Sequence, residues 1–238
     1  MTNTAEQETK RRRTPVVYDD GDKKTGPLEA PFIKLFASPT ANAQKVTILL
    51  ELLKVKYYFR ATEFLKETKE PWYLKLNPAG KVPVIVDVNE KGEAFTLAES
   101  GAILLYLAEK YDTGNKFSYP QGTANHYKEI EFLFFHASGL NPAQASLNLT
   151  KLFDSENEKD IKKFTELVLK NYKLVEDQLA ANGTGFLVGD HISLADIIAF
   201  PHAKVADKFF DVSQFPHISQ WREKLESFEE VQAAYAKK

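Results

Sequence analysis

The chain has 238 residues, and its 31 Lys and Arg against 33 Asp and Glu give a formal charge of -2. A balance so close to zero exerts no global pull on nucleic acid or anionic lipid. Cysteine is absent, which excludes disulfides, Cys-ligated zinc, iron–sulfur clusters and any cysteine nucleophile. Hydrophobic residues make up 43% and charged residues 27%, the profile of a globular chain, with no uninterrupted apolar stretch near the roughly 18 residues a membrane span needs.

Residues 1–31 are expected to form a disordered tail. They hold few large apolar groups, and Lys10, Arg11, Arg12, Arg13, Lys23 and Lys24 balance Glu6, Glu8, Asp19, Asp20, Asp22 and Glu29. Such a segment buries too little surface to offset its ordering entropy. Met1 to Arg13 lacks the apolar stretch of a signal peptide. The run Lys10–Arg13 is either a nuclear-localisation patch or a solvated charge run. A cytoplasmic location is the main expectation, with a nuclear one the alternative.

Apolar composition predicts a strand over Phe32–Phe36. Gln44–Leu53 is predicted helical, with Val46, Leu49, Leu50 and Leu53 on one face. Tyr57–Thr62 reads as a second strand, so this β-α-β order implies a parallel pair. Lys66–Pro71 reads as a charged loop, and Asn77-Pro78-Ala79-Gly80 is a breaker cluster. Val82–Val88 and Ala94–Leu97 read as a hairpin, followed by a helix over Ser100–Tyr111. Residues 113–124 are polar and read as a linker. Beyond it come only helices, predicted near His126–Ser138, Pro142–Phe153, Asn157–Ala181, Ser193–Asp207, Phe215–Ser227 and Glu229–Lys237. The expected architecture is an α/β domain over 32–112 and an all-α domain over 125–238.

Four segments could carry chemistry, and each also has a plain structural reading. Pro83 opens a strand, where a proline belongs, and an ordinary trans bond is the commoner state. Ser100 stands where an N-cap belongs. The helix start behind it suits a carboxylate, and Glu99 could accept from an ammonium group. Ser38, Thr40 and Asn42 cluster before another helix start, which could stabilise a thiolate or simply be capped. Ser193 and Asp196 have capping-box spacing, and Asp196 is read as a structural brace. No histidine pair has metal-ligand spacing, so no metal is expected. His136 is read as a satisfied, partly buried histidine.

The motifs Asn77-Pro78-Ala79-Gly80-Lys81-Val82-Pro83, Glu99-Ser100-Gly101-Ala102-Ile103 and Gly189-Asp190 through Ser193-Leu194-Ala195-Asp196 together resemble the glutathione S-transferase superfamily over residues 32–238. Asn42-Ala43-Gln44-Lys45-Val46 and Phe132–Gly139 look most like its fungal class, typified by a nitrogen-regulatory prion protein and its catalytic relatives. The resemblance implies a thioredoxin-like N-terminal domain followed by the helical one.

It further implies a cis bond before Pro83, with the backbone of Val82 pairing with the glutathione cysteinyl unit. Ser100 would hold the γ-glutamyl carboxylate and Glu99 its ammonium. Lys81 and Asn77 would lie near the glycyl end or brace the loop. Asn42 would sit beside the sulfur, with Ser38 and Thr40 as runner-up hydroxyl donors. The implied activity is a glutathione transferase whose bound thiolate attacks small electrophiles, peroxides or disulfides, in a homodimer, as in detoxification. The alternative is a glutathione-binding regulator with little turnover. The second substrate would meet side chains such as Phe135, His136 or Asn141. Neither nucleic acid nor membrane is an expected partner.

Overall fold

A computed structural model describes residues 15–237. The run Lys10–Arg13 lies outside the described residues. The chain follows the predicted order, with one helix added and the N-terminal segment redrawn. The N-terminal domain runs β3 (Phe32–Ala37), α1 (Ala41–Leu53), β4 (Tyr58–Ala61), α2 (Pro71–Leu76), β5 (Val84–Val88), β6 (Ala94–Ala98) and α3 (Ser100–Tyr111). Its sheet has the order β4-β3-β5-β6. The β3–β4 pair is parallel, while β3–β5 and β5–β6 are antiparallel.

Alternation along β3 divides the core. Ile33, Leu35 and Ala37 join Ile85 on the face covered by α1 and α3. Phe32 and Phe36 join Val84, Val86 and Val88 on the opposite face, against Tyr73 of α2. Side chains of successive strand residues point to opposite faces, so one strand serves both cores.

The stretch read as a loop over Lys66–Pro71 leads into α2. Pro71 opens that helix, where its missing N–H costs nothing. Six residues are too few to display a helical period, so composition hid it.

The tail expectation fails for residues 15–31. Strands β1 (Val17–Tyr18) and β2 (Leu28–Glu29) pair antiparallel, and the turn between them enters a buried ionic cluster. Lys34, the lone cation on the apolar strand β3, is fully buried and contacts Asp20 at 2.8 Å and Asp22 at 3.0 Å. Arg60 grips Asp22 with two nitrogens, Nε at 2.8 Å and Nη2 at 3.1 Å, and also holds Glu67 at 2.7 Å. Two buried cations in the sheet therefore need these carboxylates, and their demand orders a segment that composition alone reads as solvated.

The C-terminal domain is all helical: α4 (Ala124–Phe135), α5 (Asn141–Phe153), α6 (Glu158–Asn182), α7 (Leu194–Lys204), α8 (Pro216–Glu226) and α9 (Glu229–Ala236). Helices α4 and α5 are not separated by a loop. They are joined by a π-turn over His136–Leu140, closed by Asn141 N–H donating to His136 C=O. Helix α7 starts with the predicted capping box between Ser193 and Asp196. Asp196 is fully buried and accepts from Ser193 N, Ser193 Oγ, Leu187 N and Trp221 Nε1. It is the brace the sequence suggested. Helix α1 packs against α3, α7 and α9, so it lies at the seam of the two domains.

Candidate functional site

The loop Asn77–Lys81 sets one wall of a cleft. Asn77 Nδ2 and the Tyr73 hydroxyl both donate to Lys81 C=O at 2.9 Å, and Asn77 Oδ1 accepts from Ala79 N at 3.0 Å. Gly80 has φ +60, and a Cβ there would stand 2.8 Å from the carbonyl oxygen of Thr68. Only glycine fits that approach. The Val82–Pro83 bond is cis, as the resemblance implies.

Glu99 and Ser100 form the second wall. Ser100 is not the N-cap. That position belongs to Glu99, at φ 71 and ψ 113, and Ser100 is the first helical residue. A left-handed φ is rare for a residue with a side chain and recurs at ligand sites. It turns the start of α3 so that Ser100 and Gly101 line the cleft with Glu99. Unpaired N–H groups of a first helical turn attract anions.

Asn42, in the first turn of α1, closes the third side. Its Oδ1 accepts from Lys45 Nζ at 2.7 Å, and its amide nitrogen has no hydrogen bond among the described residues. The cleft measures about 160 Å³. Around it stand Asn42, Asn77, Lys81, Val82, Pro83, Glu99 and Ser100. Seven of the nine sequence-predicted site residues thus share one cavity, although they come from three separated segments of the chain.

Ser38 and Thr40 do not join them. The Ser38 hydroxyl donates to Thr62 C=O at 2.5 Å, and the Thr40 hydroxyl accepts from Ala43 N as the cap of α1. Both line a separate pocket of about 650 Å³ together with Pro201 and Tyr235. The Ser38 O–H is thus spent on a backbone carbonyl, while Thr40 uses only an oxygen lone pair for its cap and keeps its O–H.

Beneath the cleft lies a polar chain that the sequence reading did not assemble. Lys45 is 1% exposed, and its Nζ is 3.4 Å from His136 Nδ1. His136 Nε2 is 3.2 Å from His202 Nδ1, and His202 Nε2 is 2.9 Å from Asn141 Oδ1. Burial pushes the Lys45 ammonium well below its usual value, with the Glu99 carboxylate pulling the other way. Burial, reinforced by Lys45 and by the neighbouring imidazole, pushes His136 well below its own. His202 moves the same way, by burial and by Lys45. His136 is therefore a buried link in this chain, and with Asn141 it also lines the cleft. One signal was available in the sequence: Lys45 precedes Leu49 by four residues, in the apolar register of α1.

The glutathione S-transferase N-terminal domain family matches residues 40–110, and the glutathione S-transferase C-terminal domain family matches residues 127–229. The chain is 33% identical over 213 residues to the glutathione S-transferase-like protein gedE of Aspergillus terreus, covering 84% of this chain and 92% of that one. Among solved structures it resembles a glutathione transferase homologue from Lodderomyces elongisporus with two GSH per subunit. That match has 35% identity and a TM-score of 0.80, covering 87% of this chain and 98% of the other. It also resembles Ure2p in complex with glutathione, at 28% identity and a TM-score of 0.79, covering 85% and 97%.

Proposed function

Since the chain belongs to the glutathione S-transferase family, we propose that its cleft binds glutathione and holds the thiol as a thiolate for attack on a small electrophile, a peroxide or a disulfide. The observation that carries this reading is the convergence of Asn42, Val82, Glu99 and Ser100 on one cavity. The γ-glutamyl carboxylate would meet Ser100 and the start of α3, its ammonium would meet Glu99, and the cysteinyl backbone would pair with Val82. Lys81 stands on the rim for the glycyl carboxylate, while Asn77 braces the loop that carries it. The Asn42 amide, its oxygen held by Lys45, offers its NH2 to the sulfur. Lowering a thiol pKa by one unit takes only about 1.4 kcal/mol, within reach of one such hydrogen bond beside a helix start.

Calorimetric titration with glutathione, followed by turnover with an aryl halide and a hydroperoxide, tests the assignment. Ser100→Ala is expected to weaken glutathione binding about tenfold, the equivalent of one hydrogen bond to a charged group, with a change in melting temperature of only a few degrees. Asn42→Ala is expected to slow turnover by a similar factor with little loss of affinity. A collapse of stability in the first variant would mean that Ser100 serves the helix rather than the ligand. Unchanged turnover in the second would remove Asn42 from the chemistry. The likeness to Ure2p favours one other reading, a glutathione-binding regulator. Binding without turnover of any electrophile class would select it.

A homodimer is part of the same proposal. Tyr127 and Phe134 of α4, with Leu149, Leu152 and Phe153 of α5, are large apolar side chains left exposed. Exposed apolar side chains on these two consecutive helices are what a subunit contact would cover. Sedimentation equilibrium is expected to give twice the 27.0 kDa mass of the chain, and a single-chain mass would refute it. We place this activity in the cytoplasm. No helix among the described residues is long and apolar enough to cross a membrane, and no cluster of metal-ligating side chains occurs among them.

A further inference from the structure

We infer that Lys45 is the proton acceptor for the thiol, a buried neutral amine that becomes an ammonium as glutathione becomes a thiolate. This rests on the glutathione reading above and adds to it an acceptor for the thiol proton.

The argument begins with hydrogen-bond polarity. Lys45 Nζ has two partners, Asn42 Oδ1 and His136 Nδ1. An amine hydrogen directed at Nδ1 places the His136 proton on Nε2, which donates to His202 Nδ1. That in turn places the His202 proton on Nε2, which donates to Asn141 Oδ1. These tautomers are assigned from the network, and each ring then has one donor and one acceptor, as a neutral imidazole requires. Two of the amine's directions are thereby occupied. In the neutral amine the third is a lone pair, and Lys45 lines the same cleft as Asn42. The ring pair is a positioning device, because it orients the amine and gives it an acceptor in either charge state.

The surroundings suit an amine that changes charge. Burial opposes the ammonium, and Lys45 is 1% exposed with two uncharged side-chain partners, Asn42 Oδ1 and the His136 ring. A thiolate arriving in the cleft adds a second counter-charge to that of the Glu99 carboxylate. The titratable groups facing Lys45 are Glu99 before α3, His136 in the π-turn and His202 on α7, with Lys81 across the cleft. Helix α9 also packs on α1. It brings Glu230 to Lys54 and Lys237 to Glu51, both further along that helix.

The step balances. The S–H bond breaks and leaves its electron pair on sulfur, and the proton forms the third N–H bond of Lys45. With an aryl halide, sulfur bonds to carbon, halide departs with the bonding pair, and Lys45 returns the proton to water. With an activated alkene, the same proton goes to the carbon next to the new C–S bond.

Two measurements test the inference, after calorimetry has shown that the wild-type chain binds glutathione. If it does not bind, the glutathione reading fails and this inference with it. The first measurement is the pH profile of kcat/KM for Lys45→Met. Its rising limb is expected to move up by about one unit toward that of a free thiol, near 8.5. The deficit of the variant should then be about tenfold larger at pH 6.5 than at pH 9, on top of any pH-independent loss from freeing Asn42 Oδ1. A uniform loss at every pH, or no loss, overturns the inference while leaving glutathione binding intact. The second measurement needs no variant. In ¹⁵N-lysine-labelled wild-type protein, one side-chain nitrogen is expected at the amine position without ligand and at the ammonium position with glutathione bound. An ammonium in both states, or an amine in both, overturns the inference.

Discussion

Asp22→Ala is expected to lower the melting temperature by about 10 °C. The carboxylate is 1% exposed and binds Arg60 through two nitrogens and Lys34 through a third. Desolvation alone would raise its pKa. Hydrogen bonds from Arg60, Thr25 and Lys34 outweigh that and hold the group well below the usual carboxylate range. Removing one partner from a buried ionic group leaves the others uncompensated and costs roughly 3–5 kcal/mol. For a chain of this size each kcal/mol shifts the melting point by about 2–4 °C. Scanning calorimetry measures the effect. A shift below about 3 °C would mean that residues 15–31 dock too loosely to serve the sheet. A carboxyl with a depressed folded pKa stabilises above its unfolded value, roughly 4, and the contribution fades as pH falls toward the folded one. Glu67, held near 2 chiefly by the hydrogen bond from Arg60, follows the same rule. The deficit of Asp22→Ala should therefore be full at pH 7 and shrink below pH 4.

Asp196→Ala is expected to cost a similar amount, about 4 kcal/mol, because four buried donors lose their acceptor together. These are the Leu187 and Ser193 amides, the Ser193 hydroxyl and the Trp221 indole. Here the pH dependence has the opposite sign. Burial outweighs those hydrogen bonds and pushes the Asp196 carboxyl up to about 6. Burial likewise lifts Glu129, which accepts from Tyr119 N and Leu194 N, to about 7. An acid whose folded pKa is raised binds its proton more tightly in the native state. Its contribution is complete below the unfolded value and is lost as pH rises through the folded one. Wild-type stability is therefore expected to decline between about pH 4.5 and pH 7.5 on account of these two groups. Asp196→Ala should decline less steeply. An equal slope in both proteins would remove Asp196 from the account.

Most of the architecture was readable because it rests on local periodicity. The apolar spacing of Val46, Leu49, Leu50 and Leu53 foretold α1, and the Ser193–Asp196 spacing foretold the start of α7. The order of the motifs likewise led to the residues that meet in the cleft. What escaped shares a physical cause, in that each case depends on partners far away in sequence. Asp22 reads as a solvated charge until Arg60, 38 residues on, is placed beside it. Lys45 and His136 are separated by 91 residues, and His136 and His202 by 66. Ser38 and Thr40 looked equivalent to Asn42 because sequence shows which polar groups cluster, not which cavity each one lines. Ser100 was placed one residue too far back, as the N-cap, because nothing in its side chain announces the left-handed backbone of Glu99.

The π-turn at His136–Leu140 holds one residue more than the α-turn it replaces. Each residue advances an α-helix by about 100°, so everything after the turn is out of phase with what precedes it. A face traced along α4 does not continue along α5, and the rule that residues seven apart look the same way breaks at His136. Such a phase break is what a single-codon insertion leaves behind in a helix that tolerates it. Deleting one residue from the turn would restore a regular helix and rotate one flank by about 100° relative to the other. The imidazole of His136 and the amide of Asn141 could then no longer both reach His202. For this chain, a change of reading register inside a helix is a way to acquire an inward-facing side chain without altering any of the residues already in the core.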